Sequence, residues 1–183
     1  VFKLQELSGH GTHLFNQPKL STWVSYVTKL EGKDADEEMY KMLRASYGDD
    51  ELATILLVGS KQHCTGKAAK RLEAVQQKVW LGERKTANAV FTPLKLNAQG
   101  DKIFESPAFS SWVDYMTKLS PEKAGELMLS TLKVNCKDEA LVNMLMKAKK
   151  DASSCVIAGK LEAIQLDKWL KEDKSAHAVL KLL

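Results

Sequence analysis

The chain has few of the features that mark disulfide-rich, membrane-spanning or leader-bearing sequences. Its three cysteines, Cys64, Cys136 and Cys155, are an odd number in 183 residues, which argues against a disulfide framework. The longest core-like apolar run covers residues 55–58, whereas a membrane span needs about 20 residues. No basic segment followed by an apolar one begins the chain, so no signal peptide is indicated. We therefore expect the mature or excised part of a longer protein, without a membrane span.

An excess of one charge is also missing. The net charge is +4, and the basic residues divide evenly, with 13 in residues 1–94 and 14 in residues 95–183. Nucleic-acid-binding proteins usually carry a basic stripe, whereas charges of alternating sign are typical of solvated helix faces. The composition, 44% hydrophobic and 27% charged, is that of an ordinary globular protein and disfavours nucleic acid as a partner.

What the chain does have is an internal repeat of 89 residues without a gap. Trp23 recurs as Trp112 (112 − 23 = 89), and 34 of the 94 aligned pairs are identical when residues 1–94 are laid over residues 90–183. Unrelated segments would match at roughly one position in fifteen. We therefore predict two repeat units, residues 1–94 and 95–183, docked end to end. Arrays of this kind usually present surfaces to partners.

The apolar residues recur with helical spacing nearly throughout, and no long stretch alternates as a strand does. Start and stop signals divide each unit into about five helices. In the first unit these are predicted from Pro18 to Leu30, from a capping box at Asp34 and Glu37 to Gly48, from Asp49 or Asp50 to Lys61, from Thr65 to Gly82, and from Thr86 toward Leu96. The predicted fold class is an all-α tandem helical repeat.

The second unit follows the same plan with its own start signals. Ser120 and Pro121 are expected as the N-cap and first helical residue of its second helix, and Asp138 as the cap of its third. Ser153 or Ser154 is expected to cap the fourth helix. The polar, glycine-containing segment 97–106 is predicted to be a loop.

Both ends of the chain match the interior of the repeat. Residues 1–2 match residues 90–91, and Leu183 matches Leu94. Terminal units of arrays normally carry a polar capping face, which neither end has. We therefore expect further units outside this sequence, at least on the N-terminal side.

Three kinds of segment contain residue types found in phosphate-binding, metal-binding or catalytic sites. Residues 59–67 contain the glycines and lysine typical of a phosphate-binding loop. Ala68, however, stands where such a loop needs Ser or Thr, so we predict a helix–helix turn in place of a phosphate site. His10 and His13 lie in a glycine-containing loop, which does not place them on one face as metal ligands. The acidic clusters begin helices, where capping explains them. We predict no catalytic, metal-binding or cofactor-binding residue.

The repeated aromatic and leucine positions are predicted to form the core. An aromatic residue at a repeated helical position is far more often part of a core than of a ligand-stacking site. Trp80 is expected to pack near Tyr115, across the join between the units. The predicted core motif comprises Trp23, Tyr26, Trp80, Phe91, Trp112, Tyr115, Trp169, Leu30, Leu72, Leu119 and Leu161.

Three spaced patterns follow one another along the chain. The first is a Trp with a downstream Val-Phe and Leu-x-Leu, found at Trp80, 90–91 and 94–96. The second is a Phe and a Pro before Trp-x-x-Tyr, found at Phe15, Pro18, Trp23 and Tyr26 and again at Phe104, Pro107, Trp112 and Tyr115. The third is a leucine-rich run that leads to the next Trp. With these W, Y and L motifs, the whole chain resembles the tandem WY/LWY-repeat effectors of oomycete plant pathogens, the RXLR class.

The resemblance implies a secreted virulence protein that acts in the cytoplasm or nucleus of host plant cells, without catalytic residues or cofactors of its own. In that family the variable surface of a helical scaffold selects a host protein. Some members dock on the scaffold subunit of protein phosphatase 2A through two adjacent units, and others bind trafficking proteins or RNA-silencing factors. Residues 179–180 depart from the expected Val-Phe, which leaves open how the last helix ends.

A helical-repeat enzyme or a nucleic-acid-binding protein stays as the alternative class. Metal-dependent turnover that one acidic residue abolishes would favour the enzyme, and steep salt dependence of binding would favour nucleic acid. The sequence does not identify an interaction surface. Surface specificity could reside in positions that differ between the two copies, such as Arg44/Lys133, Tyr47/Cys136 and His63/Ala152.

Overall fold

The computed structural model describes residues 9–182, and every regular element among them is a helix. The α-helices are α1 (Pro18–Glu31), α2 (Ala35–Gly59), α3 (Gly66–Gly82), α4 (Ala87–Phe91), α5 (Pro107–Leu119), α6 (Ala124–Asn135), α7 (Asp138–Ala148), α8 (Cys155–Lys171) and α9 (Ala176–Leu180). Short 3-10 helices span Gly11–Asn16, Gly32–Asp34, Leu96–Ala98 and Gly100–Glu105. This part of the chain contains no strand, so the predicted all-α fold is confirmed.

The described chain divides into two compact units. One contains residues 9–85 and 92–94, and the other contains residues 86–91 and the chain from Lys95 onward, so that α4 belongs to the second unit. The repeat boundary between residues 94 and 95, and the end-to-end docking, stay predictions. The matches assigned to Val1, Phe2 and Leu183 lie outside the described residues.

The first unit is built on α2, its longest helix. α1, α3 and the 3-10 helix Gly11–Asn16 all pack against α2. Inside α2, Gly48 has φ 73° and ψ 177°, a non-helical conformation at the point where the sequence predicts a boundary between two helices. The helix bends there, and core residues lie on both sides of the bend, with Leu43 before it and Leu52 after it.

In the second unit the corresponding segment is two separate helices. α6 ends at Asn135, Cys136 is extended (φ −135°, ψ 144°), and α7 begins at Asp138. α8 packs against both α6 and α7, and α5 packs against α6. The second unit therefore keeps the order of helices of the first. Where α2 only bends, the second unit has a complete break between α6 and α7.

Trp112 of α5 holds the aromatic part of the second core together. Its ring meets that of Phe91 edge-on, with ring centroids 5.0 Å apart, and that of Phe109 at 5.8 Å. Its indole N–H donates to the carbonyl of Ala87 at 3.1 Å. These contacts fasten the short helix α4 to α5, because a buried indole N–H needs a hydrogen-bond partner.

Two helix starts in the first unit differ from their predicted chemistry because the side chains have other partners. Asp34 precedes α2 without a side-chain cap bond, and Glu37 instead binds Lys78 at 2.6 Å, so the predicted capping box is wrong. Thr65 precedes α3, but its hydroxyl donates to the carbonyl of Phe15 at 2.6 Å. Tertiary contacts thus replace local caps at both helices.

Further corrections concern the second unit. α6 begins at Ala124 and not at Pro121, because residues 120–123 form a turn in which the Lys123 N–H donates to the Ser120 carbonyl at 3.1 Å. The segment 97–106, predicted to be a loop, is mostly 3-10 helix. Asp138 is the first helical residue of α7, where its charge favours the helix N-terminus.

Most positions of the predicted core motif are deeply buried. The residues at most 3% exposed are Trp23, Trp80, Phe91, Trp112, Tyr115, Trp169, Leu72 and Leu161. Leu119 is half-buried. These side chains supply much of the apolar area that the two units remove from water, which is the main favourable contribution to folding.

Two residues of the predicted core motif are on the surface instead. Tyr26 is 62% exposed and Leu30 is 63% exposed. The buried stripe of α1 is narrow and follows Leu20, Trp23 and Val27. A spacing of three residues turns Tyr26 about 60° away from Trp23, so it lies on the flank of that stripe and not within it.

Candidate functional site

α2 and α3 lie side by side in the first unit and leave an open groove of about 660 Å³, which we call the α2–α3 groove. This volume lies within the range of about 300–1,000 Å³ that ligand sites occupy. The groove is lined by Glu37, Glu38, Tyr40, Lys41, Arg44, Ala45, Val75, Lys78 and Val79.

The floor of the groove is apolar because both helices turn small or aromatic side chains toward it. Val75 and Val79 are four residues apart on α3 and therefore share a face. Both are only partly buried, whereas Tyr40 of α2 is 2% exposed beneath them. Partly covered valines above a buried aromatic residue offer apolar area that a partner could still remove from water.

Arg44 closes one end of the groove with two paired carboxylates. Its guanidinium binds Glu83 at 2.7 and 3.2 Å, and binds Asp49 at 2.7 and 3.0 Å. Lys85 also pairs with Asp49. The hydrogen bond to Glu83 is the largest of the causes that raise the pKa of Arg44. The bidentate geometry fixes the guanidinium plane, which makes this rim rigid.

The other end of the rim is held by the pair of Lys78 and Glu37 at 2.6 Å. The hydrogen bond to Lys78 lowers the pKa of Glu37, and the same bond raises the pKa of Lys78. Both side chains are more than half exposed, so the pair contributes little to stability. A partner could exchange this bond for its own polar contacts.

Burial raises the pKa of Tyr40 to about 12, and the charge of Asp49 acts in the same direction. The phenol is therefore neutral at physiological pH. Glu83, Asp49 and Glu37 are each paired with a cation, so none of these three is a free general base. The arrangement is suited to binding by shape and charge.

The second unit has a counterpart groove of about 410 Å³ between α6 and α8. Its lining differs where the copies differ: Lys78 is replaced by Asp167 and Val79 by Lys168 (167 − 78 = 168 − 79 = 89). A charged side chain thus stands where the first groove has an apolar floor. The fold creates the groove in each unit, and the sequence decides how apolar it is.

Sequence reasoning did not find the α2–α3 groove, although one signal pointed to it. Arg44 was singled out because it differs from Lys133, and it lies on the groove rim. The lining residues themselves form no motif, because their proximity comes from the packing of two helices and not from spacing within one. The differences between equivalent positions of the two copies are the only indication of this groove that the sequence contains.

The glycine-containing segment 59–67 and the segment with His10 and His13 form turns and a short helix in the described chain. Gly59 ends α2 and Gly66 begins α3, where a Cβ would come 2.9 Å from the carbonyl oxygen of Ser60, so residues 59–67 form a tight helix–helix turn. His10 precedes the 3-10 helix that contains His13. Within residues 9–182, no three His, Cys, Asp or Glu side chains are grouped to hold a metal ion.

None of the helices that the structure describes has both the length and the apolar character needed to cross a bilayer.

Three comparisons with known proteins agree with this fold. A family described as "Effector PexRD54, WY-domain" matches residues 75–116, which contain Trp80, Phe91, Trp112 and Tyr115. The RxLR effector protein PSR2 of Phytophthora sojae is 35% identical over 188 residues, covering all of this chain and 28% of that protein. RxLR effector protein PexRD25 of Phytophthora infestans is 30% identical over 181 residues, covering 95% of this chain and 58% of that protein.

The crystal structure of PcRxLR12 matches with a TM-score of 0.85 and 32% sequence identity, over all of this chain and 43% of that one. The chain thus spans about a quarter of the length of PSR2 and under half of the solved chain. The shared fold, the WY-domain match over residues 75–116 and the full coverage of this sequence lead to one assignment. The chain belongs to the tandem WY/LWY-repeat RxLR effectors of oomycete plant pathogens.

Proposed function

We propose that this chain is a non-enzymatic binding module of a secreted virulence effector, which enters host plant cells and acts in their cytoplasm or nucleus on a host protein. The observation that carries the proposal is the α2–α3 groove, an apolar floor between charge-paired rims. The Arg44 end of this surface would bind a partner with little ordering cost, because the guanidinium is already held by Glu83 and Asp49.

The finer proposal is that the partner is the scaffold subunit of plant protein phosphatase 2A, which would redirect host signalling. It is supported by the family to which the chain belongs and by its length of about two units, the extent through which some members are expected to dock. A trafficking or RNA-silencing protein is the other candidate for the same role.

Isothermal titration calorimetry of the chain with purified plant phosphatase scaffold subunit tests the finer proposal. The informative variant combines Lys78→Asp with Val79→Lys, which gives the α2–α3 groove the residues of its counterpart at these two positions. We expect at least a tenfold loss of affinity, equivalent to about 1.4 kcal/mol. The loss arises because a charged side chain then covers apolar floor that the partner would bury.

The matched control is the reverse exchange, Asp167→Lys with Lys168→Val, which leaves the first groove intact and should keep the affinity within about twofold. Equal losses in both variants would contradict the assignment to the first groove. Absence of binding to the scaffold subunit would reject that partner. Capture from plant extract, with mass spectrometry and the same two variants, then tests whether another host protein binds the groove.

A further inference from the structure

A separate cavity of about 510 Å³ lies within the second unit, where the 3-10 helix Gly100–Glu105 faces the junction of α6 and α7. We call it the Cys136 socket. Its wall includes Cys136, Ala140 and the buried Met144, and its mouth carries two cations, Lys137 and Lys147, and one carboxylate, Asp101. It belongs to neither groove described above.

The first unit places an aromatic side chain at the corresponding position. Cys136 aligns with Tyr47 (136 − 47 = 89). Tyr47 is partly buried and packs against the core of the first unit. It hydrogen-bonds to the backbone of His10 and lies close enough to Glu51 for that charge to act on its pKa, after the larger effect of burial, which raises it.

These neighbours identify the space that Tyr47 fills. Glu51 aligns with Ala140 (51 + 89 = 140), and Gly11, beside His10, aligns with Gly100. Ala140 and Gly100 both line the Cys136 socket. The tyrosine of the first unit therefore occupies the site that is an open cavity in the second.

Two differences between the copies open the cavity. Tyr47 becomes Cys136, which removes a ring that would bury roughly 150–250 Å². Glu51 becomes Ala140, which removes the side chain that lies 3.5 Å from the Cβ position of Gly11 in the first unit. Cys136 itself has extended backbone and lies between the end of α6 and the start of α7.

The polar groups at the mouth set the charge that a ligand should carry. Lys147 pairs with Glu105 at 3.2 Å, whereas Lys137 is exposed and has no ion-pair partner among the described residues. Burial raises the pKa of the Cys136 thiol, so the wall is neutral at physiological pH. An aromatic ring fits the wall, and a neighbouring carboxylate fits Lys137.

We propose that the Cys136 socket accepts a tyrosine side chain that a host protein presents beside an acidic residue. This inference rests on the proposed function and names the chemistry of its partner. The first unit provides the template, since Tyr47 fills the same site from within the chain. Tyrosine is also a residue that carries much of the binding energy when it enters a desolvated pocket.

The test uses N-acetyl-L-tyrosinamide as the probe and N-acetyl-L-alaninamide as its control, followed by amide chemical shifts of the full chain. The tyrosine probe should shift Cys136, Ala140 and Met144, and the alanine probe should not. Alkylation of Cys136 by iodoacetamide, read by mass spectrometry, should slow about threefold at a probe concentration of twice the Kd. Cys64 and Cys155 provide internal references, and their rates should not change.

A pair of exchanges between the copies gives matched variants. Cys136→Tyr should fill the socket and abolish the probe-induced shifts. Tyr47→Cys combined with Glu51→Ala should create a second site, with new shifts around Gly11. The alkylation measurement on the unaltered chain keeps the test decisive if either variant fails to fold.

Shifts that persist in Cys136→Tyr, or equal shifts with both probes, would overturn the inference. Self-association of the chain that Tyr26→Ala abolishes would also overturn it, since the exposed Tyr26 of a second copy would then be the occupant. Failure of the phosphatase titration leaves the probe experiment intact, so the two proposals can fail separately.

Discussion

At the scale of single residues, each unit has a tryptophan that combines deep burial with a lysine above its ring. Lys85 lies 5.8 Å from the ring centroid of Trp80, and Lys174 lies 5.0 Å from that of Trp169. Cation–π contacts of this kind contribute about 0.5–2 kcal/mol. The larger contribution comes from burial of the ring itself, which is 2% exposed for Trp80.

Replacing Trp80 with alanine should therefore lower the free energy of unfolding by about 3–5 kcal/mol, because the change empties a core site. Denaturant titration measures the loss. Tyr26→Ala is the control, since a residue 62% exposed should change stability by less than about 0.5 kcal/mol. A loss below about 1 kcal/mol for Trp80→Ala would contradict the core assignment.

Asp49 should make stability depend on pH in the acid range. Burial acts to raise its pKa, but hydrogen bonds from Lys85 and Arg44 outweigh burial and hold the pKa below the ordinary 3.8. A depressed pKa contributes stability that is fully present above the unfolded value and is lost as pH falls through the folded value. Asp49→Asn should therefore cost about 2 kcal/mol at pH 7, and the gap to the unaltered chain should shrink below pH 3.8.

Urea titrations of both proteins at neutral pH and well below that value measure the gap. Asp138→Asn is the matched control. Asp138 forms ion pairs with Lys133 and Lys174 at 3.4 and 3.8 Å, which are longer than those of Asp49. Its gap at neutral pH should be smaller. A gap for Asp49→Asn that stays constant with pH would show that the ion pairs are not its cause.

At the scale of elements, the course of α2 depends on one glycine. Gly48 combines φ 73° with ψ 177°, a region of backbone conformation that is nearly restricted to glycine. Open space surrounds the position where a Cβ would project, so the constraint is conformational and not steric crowding. In the second unit Lys137 stands at this position with φ −66°, and the helices are separate.

Gly48→Ala should destabilise the chain by about 1–3 kcal/mol, because alanine must either adopt the strained conformation or straighten the helix. Gly82→Ala provides the control at the end of α3, where a Cβ also meets open space and φ is not positive. That change should be neutral or stabilise by up to about 1 kcal/mol. Thermal unfolding of both variants should shift the melting temperature in opposite directions or lower it only for Gly48→Ala.

The helix boundaries show which parts of this structure can be predicted from the sequence. Helices were predictable because Pro18 and Gly82 mark boundaries that local chemistry determines, and Gly48 marks the bend inside α2. The absence of a capping box at Asp34 was not predictable, because Glu37 of α2 pairs with Lys78 of α3. Local patterns predict local structure, and they fail where a residue distant in sequence competes for the same side chain.

At the scale of the whole molecule, the two copies share a sequence pattern but not the same surfaces. Tyr115 is fully buried, while Tyr26 at the same repeat position is exposed. The α2–α3 groove and the Cys136 socket likewise exist in these forms in one unit only, because a few side chains differ. Both units keep buried residues such as Trp80 and Trp169, while side chains at the margins of the cores give the two units different surfaces.

The distribution of charge over the molecule favours a protein partner over nucleic acid. The net charge is only +4, and cations such as Arg44, Lys78 and Lys149 are paired with carboxylates. Binding to phosphate backbones depends on cations that can release counterions, and its affinity falls steeply with salt. A net charge of only +4 limits this term, so it should be small.

We therefore expect a Kd weaker than about 100 µM for duplex DNA and for single-stranded RNA at physiological salt, the weak end of non-specific binding. Fluorescence polarisation with labelled oligonucleotides at low and physiological salt measures it. Lys78→Asp with Val79→Lys should leave these values unchanged while it weakens the host protein complex. Micromolar affinity with a steep salt dependence would instead place phosphate recognition at the centre of the function, because only unpaired cations acting together produce that response.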